Sequence, residues 1–236
     1  MVSFHSHLAK VAGTFRLVCL LLACGFPTIQ KGAAAESNDL ISAWLVAQTN
    51  IQTWTADFTQ TKTLKSLVQP LTAPGHVSYA KPDRFRWELG RPPQTIAVRA
   101  RDEMRVIYPN LKRVELYPLN QAGQWRDALA LLEAGFPQSR TDLDSRFRIT
   151  SQSLTNGACE LALQPRSTAA RRMMPLIRIA FDTNNFSLRA TELRFADGSS
   201  LRNDFTNAVL NPKLDDTLFA PEIGSDFKIV EPLKSK

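Results

Sequence analysis

Residues 77 to 94 read VSYAKPDRFRWELGRPPQ, and their alternation ties this part of the chain to a sheet. Val77, Tyr79, Phe85, Trp87 and Leu89 fall on one parity, while Ser78, Ala80, Arg84, Arg86 and Glu88 fall on the other. A period of two belongs to a strand whose faces meet different surroundings, because successive side chains point to opposite sides. Lys81-Pro82 breaks the run, so it reads as two strands about a turn. A face this aromatic has two uses. It is the core of a hairpin, or it lines a surface that holds something other than protein.

The same period recurs along the chain. Trp54, Ala56 and Phe58 alternate with threonines and Asp57 in TWTADFTQT. Ile96, Val98 and Ala100 mark another strand, Met104, Val106 and Tyr108 the next, and Val114 and Leu116 the one after. Further on, Phe147 and Ile149, then Cys159, Leu161 and Leu163, then Ile177, Ile179 and Phe181 repeat it. Leu193 and Phe195 face Leu201 and Phe205 across Asp197-Gly198, a tight-turn signal. A last strand is expected at Phe227 and Ile229.

Helical spacing is confined to a few places. Leu40, Ala43, Trp44 and Ala47 predict a helix over 39 to 49, capped by Ser37 or Asn38. Trp125, Ala128, Leu129, Leu132 and Phe136 predict a second, ended by Gly135. Residues 215 to 221 read as a short helical turn, while Leu64 to Gly75 and Pro165 to Pro175 read as loops. The expectation is therefore a mainly β fold (α+β), an antiparallel sheet of about eleven or twelve short strands that must curl or split.

The N-terminus has the order of a secretory signal. Lys10 and Arg16 precede the apolar run Leu17 to Phe26, and Ala33-x-Ala35 offers a cleavage site. That run is well short of the ~18 apolar residues of a spanning helix. This places a signal peptide at 1–35 and a single exported β domain at 36–236, and the family resemblance given below implies the periplasm as its compartment. Leu21-Leu22-Ala23-Cys24-Gly25 also resembles a lipobox, whose alternative outcome is a lipoprotein anchored through acylated Cys24. Cleavage after Ala35 leaves Cys159 as the one thiol, which excludes an internal disulfide; its place in step with Leu161 and Leu163 predicts burial. Loss of Lys10, Arg16 and Lys31 lowers the net charge from +7 to +4, no basis for a nucleic-acid partner.

Residues suited to catalysis are few. With His5 and His7 in the signal, His76 is the last histidine, and beside Gly75 it reads as a turn residue. His76 and Cys159 cannot assemble a metal site, and no P-loop, G-x-S-x-G or G-x-G-x-x-G occurs. Asp215-Asp216 reads as a helix cap and Asp102-Glu103 as a hairpin turn, so a carboxylate-pair hydrolase has little to rest on. Arg84 and Arg86 point away from the apolar face toward a solvated exterior, and Arg171-Arg172 sits in a loop. Lys81 shares the parity of Tyr79 and Phe85; it is a plain turn lysine, or a cation at a rim that holds a lid or meets an acyl headgroup. Nothing requires an enzyme or a cofactor.

Several of these segments, in this order, resemble the LolA-like outer-membrane lipoprotein carriers. They are TADFTQT at 55 to 61, Lys81-Pro82 with Phe85, Trp87 and Pro92, and Val106-Ile107-Tyr108-Pro109. ATELRFADGSSLRNDFTN at 190 to 207 and LDDTLFAPEIGSDFKIVEP at 214 to 232 are similar to the family's closing strands and terminal segment. The resemblance implies an unclosed, strongly curled β-barrel with a lid of two or three helices over an apolar cavity. It implies a monomeric carrier that shields the acyl chains of lipoproteins, or of another lipid, between an inner-membrane release complex and an outer-membrane acceptor. Leu40, Trp44, Leu129 and Leu132 would form the lid. Trp54, Phe58, Tyr79, Phe85, Trp87, Leu89, Val98, Val106 and Tyr108 would line sheet or cavity. The family's lid-holding arginine is Lys81 here, which keeps the charge and loses the planar fork. An Asp-Gly turn common in the family is replaced by Arg101-Asp102-Glu103. Two other readings share the fold: the anchored outer-membrane acceptor, and a lipoprotein-sensing regulatory domain.

Overall fold

The computed structural model describes residues 32–119, 137 and 139–232. Helix α1 (Gly32–Thr49) leads into β1 (Thr53–Thr63), β2 (Leu71–Ala80), β3 (Arg84–Leu89), β4 (Thr95–Ala100), β5 (Glu103–Tyr108) and β6 (Arg113–Pro118). Then come α2 (Arg140–Arg146), β7 (Phe147–Thr155), β8 (Ala158–Pro165), α3 (Thr168–Met173) and β9 (Leu176–Asp182). The chain closes with β10 (Leu188–Arg194), β11 (Ser200–Leu210) and β12 (Lys228–Val230). Two 3-10 turns, Pro109–Leu111 and Asp216–Phe219, interrupt it.

All these strands belong to one sheet, ordered β12-β6-β5-β4-β3-β2-β1-β11-β10-β9-β8-β7. Neighbours are antiparallel throughout, except that β12 lies parallel to β6. The ends β7 and β12 do not meet, so the barrel stays open. Its curl follows from the packing. Val77 of β2 and Phe147 of β7 share one buried cluster with Ile41, Trp44 and Leu45 of α1. In a flat sheet those strands would stand about 29 Å apart, too far for a helix about 10–12 Å wide to touch both. The structure is thus an unclosed half-barrel wrapped around a helix.

Helix α1 buries Ile41, Trp44, Leu45 and Gln48, the i, i+3, i+4, i+7 stripe of one face. Leu40, Ala43 and Ala47 lie half-buried on its flank, so the buried face is rotated from the stripe expected from sequence. Its exit is fixed by Asn211, at φ 54°, a left-handed conformation that asparagine tolerates. The Asn211 side-chain oxygen accepts from the backbone N–H groups of Gln52 (2.7 Å) and Thr53 (3.3 Å), and its amide donates to the Asn50 carbonyl (3.1 Å).

The outside of the sheet is not bare. After β11 the chain crosses the convex face, where Phe219 packs on Ala80 and Val98, with Ile96, Leu214 and Leu218 around them. Arg84 pairs with Asp216 at 2.5 Å and lies over the Phe219 ring, and Arg86 donates to the Leu218 carbonyl at 3.2 Å. Both arginines point outward as their parity predicts, but onto protein instead of solvent.

Other boundaries shift as well. Strand β2 begins at Leu71, inside the stretch read as a loop, and α3 lies inside the Pro165 to Pro175 loop, taking Arg171 and Arg172 with it. Helix α2 was not foreseen; Ser139 caps it through the Asp142 N–H, and Leu143 is its buried anchor. The helix expected around Leu129 and Leu132 lies outside the described residues. Among the described residues no helix is long and apolar enough to cross a membrane.

His76 sits within β2 and not in a turn, with its Nδ1 at 3.0 Å from Asp57 on the outer face. Asp57 also accepts from Asn207 (3.0 Å) and Arg91 (2.9 Å). The Asn207 amide first, then His76 and Arg91, hold the Asp57 carboxyl below its ordinary range. A carboxyl whose folded pKa is depressed stabilises the fold above its unfolded pKa, and that contribution fades as pH falls through the folded value. Asp57→Asn is therefore expected to flatten the acid limb of the stability profile below about pH 4, where an unfolded aspartate titrates. Urea melts of both proteins from pH 2 to 7 check this; parallel acid limbs would refute it.

Candidate functional site

Strand register decides which side chains share the concave face. One row runs Ala56, Val77, Trp87, Ala97, Val106 and Glu115 across β1 to β6. The row beside it runs Trp54, Tyr79, Phe85, Arg99, Met104 and Tyr117. Phe58 and Leu89 flank Gly75 in a third. On the other side of β1, Phe205 stands opposite Phe58.

The aromatic members make a continuous patch. Phe58 and Trp87 have ring centroids 4.0 Å apart, and Phe205 meets Trp54 edge-on at 5.2 Å. Gly75 is required for this close approach: a Cβ there would stand 2.1 Å from Phe58 Cζ and 2.5 Å from the Glu88 carbonyl oxygen. On the far side of α1, Trp44 stacks on Phe181 at 4.8 Å.

Two halves of the concavity differ. Toward β7, β8 and β9 the helix fills it, and Leu161, Leu163, Ile177, Ile179 and Phe181 are buried. Toward β3, β4 and β5 the face keeps solvent access, with Trp87, Leu89, Ala97, Val106 and Tyr108 all half-buried. This second half is an apolar floor of graded depth. Phe85, Met104, Tyr117 and Leu119 form a small core beside it on the same face, against which Trp87, Ala97 and Val106 pack.

Polar groups stand at two places on this surface. Buried Glu115 accepts from the Tyr117 hydroxyl at 2.6 Å and pairs with Arg113 at 2.5 Å, with the Tyr108 hydroxyl at 3.4 Å. Burial first, then Glu115, push both phenols above the ordinary tyrosine range, so they stay neutral. Lys81, in the β2–β3 turn, donates through Nζ to the carbonyls of Gln48 (3.0 Å) and Thr49 (3.1 Å). These are the last carbonyls of α1, where a cation meets the negative end of the helix dipole. Desolvation pulls the Lys81 pKa below the usual lysine value. The Gln48 amide donates to the Phe186 carbonyl at 3.2 Å, so both flanking loops grip the end of the helix.

The structure brings Trp54, Phe58, Tyr79, Phe85, Trp87, Leu89, Val106 and Tyr108 onto one face and Trp44 of α1 into the core cluster with Trp54 and Phe58, while Leu40 stays half-buried on the flank of the helix. Val98 is corrected. It pairs with Arg86 and Arg105, which places it on the convex face, 2% exposed beneath Phe219. The inward residues of β4 are Ala97 and Arg99, and the alternating Ile96 and Val98 belong to the outer core. Leu129 and Leu132 lie outside the described residues. Phe205, Met104, Glu115, Tyr117 and the buried stripe Ile41, Leu45 and Gln48 were missed as site residues; the pairing of β1 with β11, the parity that Met104 shares with Val106 and Tyr108, and the parity of β6 counted from Tyr117 point to the first four.

Cys159 is buried in β8, and burial raises its thiol pKa, which makes it a packing residue. Among the described residues no group of three or more His, Cys, Asp or Glu could hold a metal ion.

Residues 49–222 match the family model described as outer membrane lipoprotein carrier protein LolA. An outer-membrane lipoprotein carrier protein of Bordetella avium is 27% identical over 200 residues, covering 84% of this chain and 88% of the relative. One of Dechloromonas aromatica is 24% identical over 179 residues, covering 75% of this chain and 81% of the relative. Among solved structures, an uncharacterized conserved protein of Thermus thermophilus superposes with a TM-score of 0.49 at 9% identity, covering 83% of this chain and 99% of that one.

Proposed function

Because the chain belongs to the outer membrane lipoprotein carrier (LolA) family, we propose that it is a non-enzymatic periplasmic carrier whose concave face shields lipoprotein acyl chains. The observation that carries this reading is the half-buried row Trp87, Ala97 and Val106, with Leu89 and Tyr108 beside it, an apolar surface that keeps partial access to solvent. Each methylene hidden from water contributes about 0.8 kcal/mol, so acyl chains of a dozen or more carbons do not cross an aqueous compartment unaided. A curved apolar floor meets that need without catalytic groups. The cargo enters from an inner-membrane release complex and leaves for an outer-membrane acceptor, following export through a signal ending near Ala35.

In this reading α1 is the lid and Lys81 its latch. Lys81→Ala removes two charge-assisted hydrogen bonds from the helix end. The expected result is a stability loss of about 1–3 kcal/mol and severalfold faster release of a bound fluorescent acyl probe. Lys81→Arg should restore retention, because arginine keeps the charge and adds donors. Stopped-flow release from the three proteins checks the latch, which fails if all three rates agree.

The test of the whole reading is native mass spectrometry of the exported protein. A co-purified acylated protein or lipid, lost on delipidation with the fold intact, is the expected finding. An empty protein that also fails to bind added acyl chains would end the proposal.

A further inference from the structure

One end of the half-barrel is apolar and basic at once. Strand β1 runs to Thr63 opposite Ser200, and β2 starts at Leu71, four residues before its pairing with β3 begins at Gly75 opposite Leu89. The connection between them turns at Leu64–Leu67, where the Leu67 N–H donates to the Leu64 carbonyl at 3.0 Å. Its tip carries Val68 at 101% exposure, Leu67 at 43% and Leu71 at 54%, so three branched apolar side chains stand in water. Lys62 and Lys65 flank them, both exposed.

The neighbouring elements extend the same character. The β10–β11 turn sits beside this hairpin through the Thr63–Ser200 pairing, and its Ala196 N–H donates to the Met173 carbonyl at the end of α3 at 3.0 Å. Met173 and Arg172 are exposed there, and Arg166 is exposed just before α3. No acidic residue occurs between Asp57 and Asp83, nor between Glu160 and Asp182, so both segments are purely cationic. Acids at this end include Asp197, near Lys65, whose carboxylate accepts from the N–H and hydroxyl of Ser199 at 2.9 and 2.6 Å, and Asp142 and Asp144 of α2, which pair with Arg146 and Arg140.

We propose that this end docks on the surface of an anionic lipid bilayer, with Leu67, Val68 and Leu71 entering the interface and Lys62, Lys65 and Arg172 meeting lipid phosphates. Aliphatic side chains at a tip, flanked by lysines on a segment that carries no acid, are the complement of a negatively charged membrane surface. The inference concerns the outside of one end and does not depend on what the concave face carries.

Co-sedimentation of the purified protein with phosphatidylglycerol-containing vesicles tests it, with phosphatidylcholine vesicles as reference. The wild type should partition onto the anionic vesicles and leave them as salt rises. Combined Leu67→Ser, Val68→Ser and Leu71→Ser should weaken partitioning at least about tenfold. Lys62→Glu with Lys65→Glu should weaken it by about tenfold or more. All five side chains are exposed, so neither variant should lose its fold or its binding of a soluble acyl probe. Equal partitioning of the wild type and the triple serine variant, equal partitioning onto neutral vesicles, or none onto anionic ones would overturn the proposal. None of these outcomes bears on acyl binding, which the same variants report separately.

Discussion

Replacing Trp44 by alanine is expected to lower the unfolding free energy by about 3–5 kcal/mol, the cost of deleting a fully buried aromatic side chain. Trp44 is the centre of the α1 contact: it is fully buried, stacks parallel on Phe181, and shares a cluster with Trp54, Leu161 and Ile179. Its removal opens a void that neither the helix nor the sheet can close, since α1 is held at its C-terminal end by Lys81 and Gln48. Trp44→Phe should cost far less. Phenylalanine keeps a ring on Phe181 and drops an indole N–H that meets no acceptor among the described residues. Val46, on the same helix at 64% exposure, is the internal reference, and Val46→Ala should stay within about 0.5 kcal/mol of wild type. Chemical denaturation of the three variants separates these cases. A Trp44→Ala protein as stable as Val46→Ala would mean that α1 is not seated in the half-barrel.

Much of this architecture is legible in the alternation of apolar residues, because a strand with one wet face writes its burial pattern into its sequence. The Leu193–Leu201 pairing across Asp197-Gly198 and the Tyr79–Phe85 pairing across Lys81-Pro82 both follow from that pattern plus a turn. It fails where the convex face of a strand is apolar and covered as well. In β4 the larger residues Ile96 and Val98 face the outer core made by Phe219, while small Ala97 and Arg99 face inward. Parity then has no sign, and alternation alone does not say that Val98 takes the convex face. The partner that decides it lies far along the chain, beyond any local window. Helix α2 escaped for the opposite reason, since a single buried residue, Leu143, leaves no period to read. Parallel β12 adds only three residues to the edge of β6, too short to reveal its direction. The aromatic site residues were visible as a set; which of them are filled by α1 and which stay open depends on where the helix sits, and that is a property of the folded packing.

That open half makes the second prediction sharp. Ala97 stands between Trp87 and Val106, all three half-buried, so its small side chain sets the depth of the floor. Ala97→Phe fills that depth from below while keeping the surface apolar. Stability should change by no more than about 1–3 kcal/mol, the range for an added bulky group that neighbours can accommodate. Acyl binding should instead change in a way that depends on chain length. A phenyl ring displaces roughly two or three methylenes, each contributing about 0.8 kcal/mol when buried. Affinity for a sixteen- or eighteen-carbon chain should then fall by about thirtyfold, whereas a chain short enough to avoid the ring keeps its affinity. Displacement of a fluorescent fatty acid by saturated chains of increasing length measures this directly. A uniform loss at every length would point to general disturbance of the sheet. Unchanged affinity for the long chains would mean that they do not lie on this floor, and the carrier reading would lose the surface on which it stands.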